Sequence, residues 1–194
     1  MGNIKQINYN KMTQTINFCG DSFCASKDKE SWTIILSNML GYKIYGIGKK
    51  GTAYEHAIKT FNSQAHVTIF CWTEPHRIYH ETESINMSSA ENKKHKSKIH
   101  AVAYEYYKYL HSHDLAVDRK QRDFFWFDEK VLKHYKGKII HLFSFESAKY
   151  DFNNGIIIRK SLELHNVGDS SIYPNHMTKE NNFKLANSLY KLLT

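Results

Sequence analysis

The sequence predicts an α/β protein, a three-layer αβα sandwich built on a parallel sheet of about five strands, with a helical insertion. Three observations predict it. Short apolar segments alternate with amphipathic ones along the first third of the chain, and the connections between them are short. His66–Trp72 is apolar almost throughout, which is typical of a strand covered on both faces. Strands that alternate with helices form βαβ units, which build parallel sheets with right-handed crossovers.

The first third of the chain contains five predicted elements. Gly41 stands where a helix C-cap belongs, and Gly20 directly follows the first apolar segment. In order, the elements are a strand at Thr15–Cys19, a helix at Ser31–Leu40, a strand at Lys43–Ile47, a helix at Thr52–Phe61 and a strand at His66–Trp72.

Helical patterns replace strand patterns between Ser88 and Gly137. Ser88-Ser89-Ala90-Glu91 is typical of a capping box that opens a helix, and a second helical stretch covers about Val117–Tyr135. Four aromatic residues repeat here at helical spacing: Tyr104, Tyr107, Phe124 and Phe127. The spacing favours packing between helices, and the alternative is an apolar substrate wall under a lid.

Two more strands and a closing helix complete the pattern, at Lys138–Phe145, at Gly155–Arg159 and at Thr178–Leu193 with Thr178 as the N-cap. A chain of 194 residues fits one domain. We therefore expect a single domain over residues 1–194, in which residues 88–137 form a helical insertion or cap.

Basic residues outnumber acidic ones, with 27 Lys and Arg against 19 Asp and Glu, for a net charge of +8. Lysines cluster at Lys93-Lys94-His95-Lys96 and around Lys130–Lys138. Such clusters are typical of solvated helix faces, and the alternative is a field that steers an anionic partner or substrate. Neither a zinc-finger spacing nor an RNP-type aromatic signature accompanies them, so no nucleic-acid partner is expected.

The hydropathy pattern excludes a membrane-spanning class. No apolar run approaches the roughly 18–20 residues of a membrane span, and Met1 to Gln14 is too polar for a signal peptide. The three cysteines, Cys19, Cys24 and Cys71, have no paired spacing and predict reduced thiols. We expect a cytoplasmic protein without a membrane partner, and the sequence leaves its oligomeric state open.

Candidate chemistry follows the predicted strands. In a parallel sheet, ligands bind beyond the carboxyl ends of the strands. Gly20-Asp21-Ser22 follows the first strand, Gly46–Thr52 follows the second and Trp72–Arg77 follows the third, while Asp169–His176 precedes the last helix. A serine, glycine-rich backbone, and an aspartate and histidine are therefore expected at one edge of the sheet.

These segments, in this order, resemble the SGNH hydrolase superfamily, also called GDSL esterases. Phe18–Ser22 matches the nucleophile block, Gly51-Thr52 the second block and His176 the histidine of the last block, so the resemblance covers most of the chain. Trp72–Pro75 and Asn175-His176-Met177 resemble a divergent branch associated with tailed phages. The resemblance implies a flavodoxin-like fold and a serine hydrolase. Its implied substrate is an acyl or acetyl ester of a carbohydrate or small molecule, cleaved without metal or cofactor.

The resemblance also implies roles for individual residues. Ser22 is the nucleophile, His176 takes its proton and Asp169 orients His176. The oxyanion hole is formed by the backbone N–H groups of Ser22 and Gly51, together with Thr73. Substrate binding is assigned to Glu74 and Arg77.

Two departures from the family pattern leave a second function possible besides the hydrolase. Glu74 occupies the place of an asparagine that donates to the oxyanion, and Tyr173 occupies the place of the triad acid. A protonated Glu74 could donate in its place, whereas an ion pair with Arg77 would keep its charge and turn it away from Ser22; we predict the ion pair. The rival function is a catalytically impaired binding or structural protein with the same fold, of viral origin.

Two other chemistries are less favoured by the sequence. His76 and His80 are four residues apart and His111-Ser112-His113 is the other close pair, but Pro75 and the lack of a nearby acidic pattern favour surface histidines over a metal site. Cys19 and Cys24 flank the serine, yet no Cys-His signature supports a thiol nucleophile.

Overall fold

A five-stranded, all-parallel sheet forms the centre of the protein. The structure is a computed structural model that describes residues 13–166 and 177–194. The strands lie in the order β2-β1-β3-β4-β5, which is the order of flavodoxin-like sheets. Their bounds are β1 Thr15–Gly20, β2 Lys43–Gly46, β3 Val67–Trp72, β4 Lys138–Phe143 and β5 Ile156–Ile157.

Helices cover both faces of this sheet, which confirms the predicted three-layer sandwich. α1 and α6 pack against each other on one face, while α2 and α5 cover the other. Their bounds are α1 Trp32–Leu40, α2 Tyr54–Lys59, α3 Met87–Lys93, α4 Lys98–Tyr109, α5 His113–Lys130 and α6 Lys179–Leu193. Short 3₁₀ turns lie at Ser22–Cys24, Leu132–His134, Glu146–Ala148 and Leu162–Asn166.

β3 sits at the middle of the sheet and supplies both hydrophobic cores. Successive side chains of a strand point to opposite faces. Ile69 and Cys71 accordingly pack in the core under α1 and α6, whereas Phe70 and Trp72 pack in the core under α2 and α5. Every residue of β3 is buried, as its almost entirely apolar sequence predicts.

The helical region between β3 and β4 consists of α3, α4, α5 and a 3₁₀ turn. α5 is the crossover helix, because its Phe124 and Phe127 pack on Phe70 and Trp72 of β3. These aromatic residues are therefore core. α3 and α4 pack on each other outside that layer, around Ala90, Ala103 and Tyr107.

The N-cap of α3 is Asn86, and the prediction of a capping box at Ser88-Ser89-Ala90-Glu91 is wrong. Asn86 Oδ1 accepts from the Ser89 N–H at 2.8 Å, and Ser89 Oγ accepts from the Asn86 N–H at 2.9 Å. Ser89 Oγ also donates to the Ser84 carbonyl at 3.0 Å, so a contact to the preceding loop favours this register. The predicted cap of α6 is confirmed, since Thr178 Oγ1 accepts from the Asn181 N–H at 3.1 Å.

Two sequence expectations concern thiols and membrane spans. Cys19, Cys24 and Cys71 are free and buried. Within residues 13–166 and 177–194, no helix combines the length and apolar character needed to cross a bilayer.

His141 is a buried histidine in the middle of β4. Its Nδ1 accepts from Trp72 Nε1 at 3.0 Å and its Nε2 lies 2.8 Å from the Asn154 carbonyl, so the neutral ring with a proton on Nε2 satisfies both partners. The ring stacks on Phe152, with centroids 3.9 Å apart. Burial lowers the pKa of His141 from 6.5 to about 4, opposed by the bond to Asn154.

We predict that His141 makes the fold acid-sensitive between pH 6.5 and about 4. In this range His141 is protonated in the unfolded chain and neutral in the native protein. The free energy of unfolding therefore falls as the pH drops, by about 3 kcal/mol in total. His141→Phe keeps an aromatic ring in the stack and removes the titration. Urea unfolding at several pH values should show a smaller loss for this variant than for the wild type, and equal pH slopes would contradict the prediction.

Candidate active site

The turn after β1 brings Asp21 and Ser22 to the carboxyl edge of the sheet. Gly20 ends the strand against β3, where a Cβ would lie 2.3 Å from the Cys71 carbonyl oxygen, so only glycine fits. Ser22 then opens a 3₁₀ turn in which Asp21 is the N-cap and its Oδ1 accepts from the Phe23 N–H at 3.1 Å. Ser22 is half-buried, and no residue in the described part of the chain hydrogen-bonds to its Oγ.

The Asp21 carboxyl links the turn after β1 to the end of β4. Its Oδ1 also accepts from Ser144 Oγ at 2.9 Å, past the end of β3, the strand between β1 and β4. Burial raises the pKa of Asp21 above its usual value of 3.8, and the charge of Arg77 opposes that rise, as do the bonds from Phe23 and Ser144. Oδ2 has no hydrogen-bond partner among the described residues, so the carboxyl is held through one oxygen only.

Glu74 and Arg77, three residues apart after β3, form the predicted ion pair. Arg77 Nε donates to Glu74 Oε1 at 2.9 Å, and the arginine is buried while Glu74 keeps about a third of its side chain exposed, 31%. Arg77 Nη1 lies 3.5 Å from the Thr52 carbonyl, and the guanidinium lies 5.4 Å from the centroid of the Phe145 ring. One cation thus lies between the loops that follow β2, β3 and β4.

The other two proposed oxyanion donors lie on the same edge of the sheet. Thr73 directly follows β3 and is buried. Its hydroxyl lies beside Asp21 and lowers the pKa of that carboxyl, although the two groups form no regular hydrogen bond. Gly51 precedes α2 with φ +67°, a conformation that favours glycine, and its carbonyl accepts from Ser84 Oγ at 2.8 Å. Thr52, the next residue, contacts Arg77 and so joins this segment to the ion pair.

A pocket of about 200 Å³ opens beside Ser22 and is called the Ser22 pocket here. Hydroxyl and acidic side chains dominate its wall, and the start of α6 closes one side. Its lining residues are Ser22, Phe23, Ser26, Asp28, Glu30, Ser31, Met177, Lys179 and Asn182. Lys179 Nζ pairs with Glu30 at 2.6 Å, which joins the two sides of the rim.

Asn182 anchors the chain segment that enters α6. Its Oδ1 accepts from the Trp32 N–H at 2.8 Å, and its Nδ2 donates to the carbonyls of Met177 at 2.9 Å and Thr178 at 3.0 Å. Met177 therefore lies fixed in the wall of the Ser22 pocket. His176 and Asp169, the predicted base and its orienting acid, lie outside the described residues, as does Tyr173.

The helical region approaches the loop after β3 through one hydrogen bond from α4. Tyr107 of α4 donates to the His76 carbonyl at 2.7 Å. The His76 ring stacks on His113 at 4.4 Å and meets His111 edge-on at 5.4 Å, so His76 contacts a histidine pair that is distant in the sequence. In the described part of the chain, no residue of α3, α4 or α5 lines the Ser22 pocket.

Two observations on the described residues concern the metal and thiol alternatives. Within the residues described, no three histidine, cysteine or acidic side chains are arranged to hold a metal ion. Burial raises the pKa of the Cys19 and Cys71 thiols far above the usual value, which disfavours the nucleophilic thiolate.

Three residues near this edge were not singled out in the sequence. Ser144 and Asn182 carry no motif, because each acts through a contact to a distant part of the chain. Lys120 of α5 is buried with one hydrogen bond, to the Ser147 carbonyl at 3.0 Å, and burial lowers its pKa to about 8. A lone lysine within a helix gives no signal of burial.

Comparisons with family models and with curated proteins give no match for this chain. No protein-family model matches it, and neither does any curated protein. The resemblance to SGNH hydrolases therefore depends on the residues quoted above and stays a prediction.

We predict that Asp21 is held mainly through hydrogen bonds that asparagine can replace. Asp21→Asn keeps an oxygen for Phe23 and Ser144 and should leave stability near the wild-type value, whereas Asp21→Ala should cost about 1–3 kcal/mol. Because the native pKa of Asp21 is raised, the wild type should lose stability relative to Asp21→Asn as pH rises above 3.8. Urea unfolding of the three proteins across pH tests this, and equal pH dependence would show that the carboxyl is not perturbed.

Proposed function

We propose that this protein is a serine esterase of SGNH type, which cleaves an acyl or acetyl ester of a carbohydrate or small molecule. One observation carries the proposal: the Ser22 hydroxyl, at the carboxyl end of β1, opens into a pocket that is also lined by Met177. Because Met177 directly follows His176, this wall supports His176 as the base that the serine needs. Asp169 is the acid proposed to orient His176.

The reaction follows the serine-hydrolase scheme. Ser22 Oγ attacks the ester carbonyl while its proton passes to His176, which then protonates the leaving alcohol. Water attacks the acyl-enzyme with His176 again as base, releasing the acid and restoring the serine. The Ser22 and Gly51 N–H groups hold the oxyanion. Thr73 is the third candidate donor. Because its hydroxyl is buried beside Asp21, the two backbone N–H groups provide most of the stabilisation of the oxyanion.

The Ser22 pocket favours a small, uncharged, polar substrate. Its volume of about 200 Å³ suits an acetyl-sized group with part of a sugar ring. Ser26 places a hydroxyl in the wall, and Asp28 can accept hydrogen bonds from a polyol and would repel an anionic substrate, whereas Glu30 is paired with Lys179. This lining supports a carbohydrate ester over a phosphate or carboxylate substrate.

The paired Glu74 favours the rival function, a binding or structural protein with impaired catalysis. Its carboxyl stands where the family has a neutral donor, and it accepts a hydrogen bond from Arg77 Nε at 2.9 Å. Loss of one oxyanion donor slows such reactions by about 10²–10³-fold. A slow esterase and an inactive binding protein therefore differ in whether Ser22 can be acylated at all.

We predict that Ser22 is the residue that reacts with a fluorophosphonate probe. Ser22→Ala should abolish labelling and lower ester turnover by on the order of 10⁶-fold, and His176→Ala should do the same, since either loss removes the acylation chemistry. Peptide mapping of the labelled protein identifies the modified serine, and p-nitrophenyl acetate reports turnover.

Ser26→Ala is the matched control, because it removes a hydroxyl from the same pocket wall and should leave labelling unchanged. Thermal melting of each variant checks the fold. A wild-type protein that remains unlabelled would favour the rival, and labelling that persists in Ser22→Ala would exclude Ser22 as the nucleophile.

We predict that Glu74→Asn raises turnover of p-nitrophenyl acetate. The substitution removes a carboxylate and supplies an amide donor where the family has one, a group worth about 10²–10³-fold in rate. Glu81→Asn is the control, because Glu81 pairs with Lys59 at 2.8 Å on the surface and not with Arg77. If Glu74→Asn instead abolishes an activity that the wild type shows, Glu74 has a positive role in chemistry or binding.

A further inference from the structure

α4 carries an apolar stripe that the described residues leave uncovered. His100, Ala103 and Tyr107 form its buried face, as their helical spacing dictates. Beside that face run four large apolar side chains that are 38–74% exposed, Ile99, Val102, Tyr109 and Leu110. The exposed Glu105 interrupts this apolar surface, but large apolar side chains gathered on one side of a helix still mark an interaction surface rather than scattered surface residues.

An open groove of about 860 Å³ lies along this stripe and is called the α4 groove here. Val102, Tyr106, Tyr109 and Leu110 supply most of its apolar wall, and Lys94 reaches it from the end of α3. The groove is fixed to the body of the protein, because Tyr107 donates to the His76 carbonyl at 2.7 Å. The exposed apolar side chains therefore face away from the protein, on a helix whose buried face is fixed by Tyr107.

Lysines are frequent in the segment that carries the α4 groove. Between Met87 and Leu110 the chain has five lysines and two glutamates. The lysines are Lys93, Lys94, Lys96, Lys98 and Lys108. Lys94 Nζ lies 4.0 Å from the Tyr104 ring centroid, and Lys108 Nζ lies 4.7 Å from that of Tyr109, so the cations border aromatic surface. None of the five forms a salt bridge to a described residue.

This combination fits a lipid surface better than a second protein. Protein–protein interfaces are depleted of lysine, whereas helices that lie on bilayers carry an apolar stripe, tyrosines at headgroup depth and a border of lysines. Lysine stems can extend along the apolar surface while their ammonium groups reach the headgroups. The net positive charge of the segment matches a negatively charged bilayer.

We propose that the α4 groove is a peripheral docking surface for an anionic phospholipid bilayer. Val102, Tyr109 and Leu110 enter the headgroup region, and the lysines of α3 and α4 contact lipid phosphates. This departs from the expectation that the protein has no membrane partner, which followed from the lack of a spanning segment. The proposal does not depend on esterase chemistry, because it involves no residue of the Ser22 pocket.

Vesicle co-sedimentation of the full chain tests the proposal. The probes are vesicles of phosphatidylcholine alone and of phosphatidylcholine mixed with phosphatidylglycerol, at low and high salt. We expect binding to the mixed vesicles that weakens with salt, and little binding to phosphatidylcholine. Replacing Lys93, Lys94 and Lys96 by glutamine should lower the partition coefficient by on the order of 100-fold, since each lysine near an anionic surface contributes about fivefold.

Two glutamate variants separate docking from net charge. Val102→Glu and Phe183→Glu make the same charge change at exposed apolar positions, on α4 and α6, 64% and 53% exposed. Only Val102→Glu should lose vesicle binding, and both should melt like the wild type. No wild-type binding, or equal losses in the two variants, would overturn the proposal. A concentration-dependent dimer that Val102→Glu abolishes would overturn it too, by identifying a second copy as the occupant.

Discussion

The hydrogen bond from Ser144 to Asp21 is the contact on which the arrangement of the candidate site depends. It joins the turn after β1 to the end of β4 and passes over the end of β3, so it closes the carboxyl edge of the sheet. Asp21 is fully buried, and a buried carboxyl is tolerated only when hydrogen bonds replace its water. That requirement holds the turn, and with it Ser22, in one position.

The sheet can place this contact because β3 is buried on both faces. Ile69 and Cys71 belong to one core, and Phe70 and Trp72 to the other, so the strand cannot slip by one residue without exchanging the two sets. The register of β1, β3 and β4 is thereby set, and their ends align. The loops that follow them therefore start close together, and side-chain contacts such as the bond from Ser144 to Asp21 then join them.

The sequence predicts the layers, the strand positions and the Glu74–Arg77 pair, because each depends on patterns or partners within a few residues. It does not predict contacts that depend on distant partners. Ser144 meets Asp21 across 123 positions, and nothing near Ser144 marks it. The N-cap of α3 shows the same limit at short range: Ser88 and Asn86 are both good caps, and the contact from Ser89 to the Ser84 carbonyl favours Asn86.

The charge balance at the sheet edge follows from these contacts. Arg77 is one buried cation beside two carboxyls, and its direct bond goes to Glu74. If Asp21 were also ionised, the group would carry a net negative charge where the proposed reaction develops another. Burial favours the neutral acid at Asp21, whose proton would then lie on Oδ2, the oxygen without a partner, beside the unpartnered Thr73 hydroxyl. A proton on Oδ2 would give the Thr73 hydroxyl a partner and would remove one negative charge from the group, whereas the charge of Arg77 opposes that protonation.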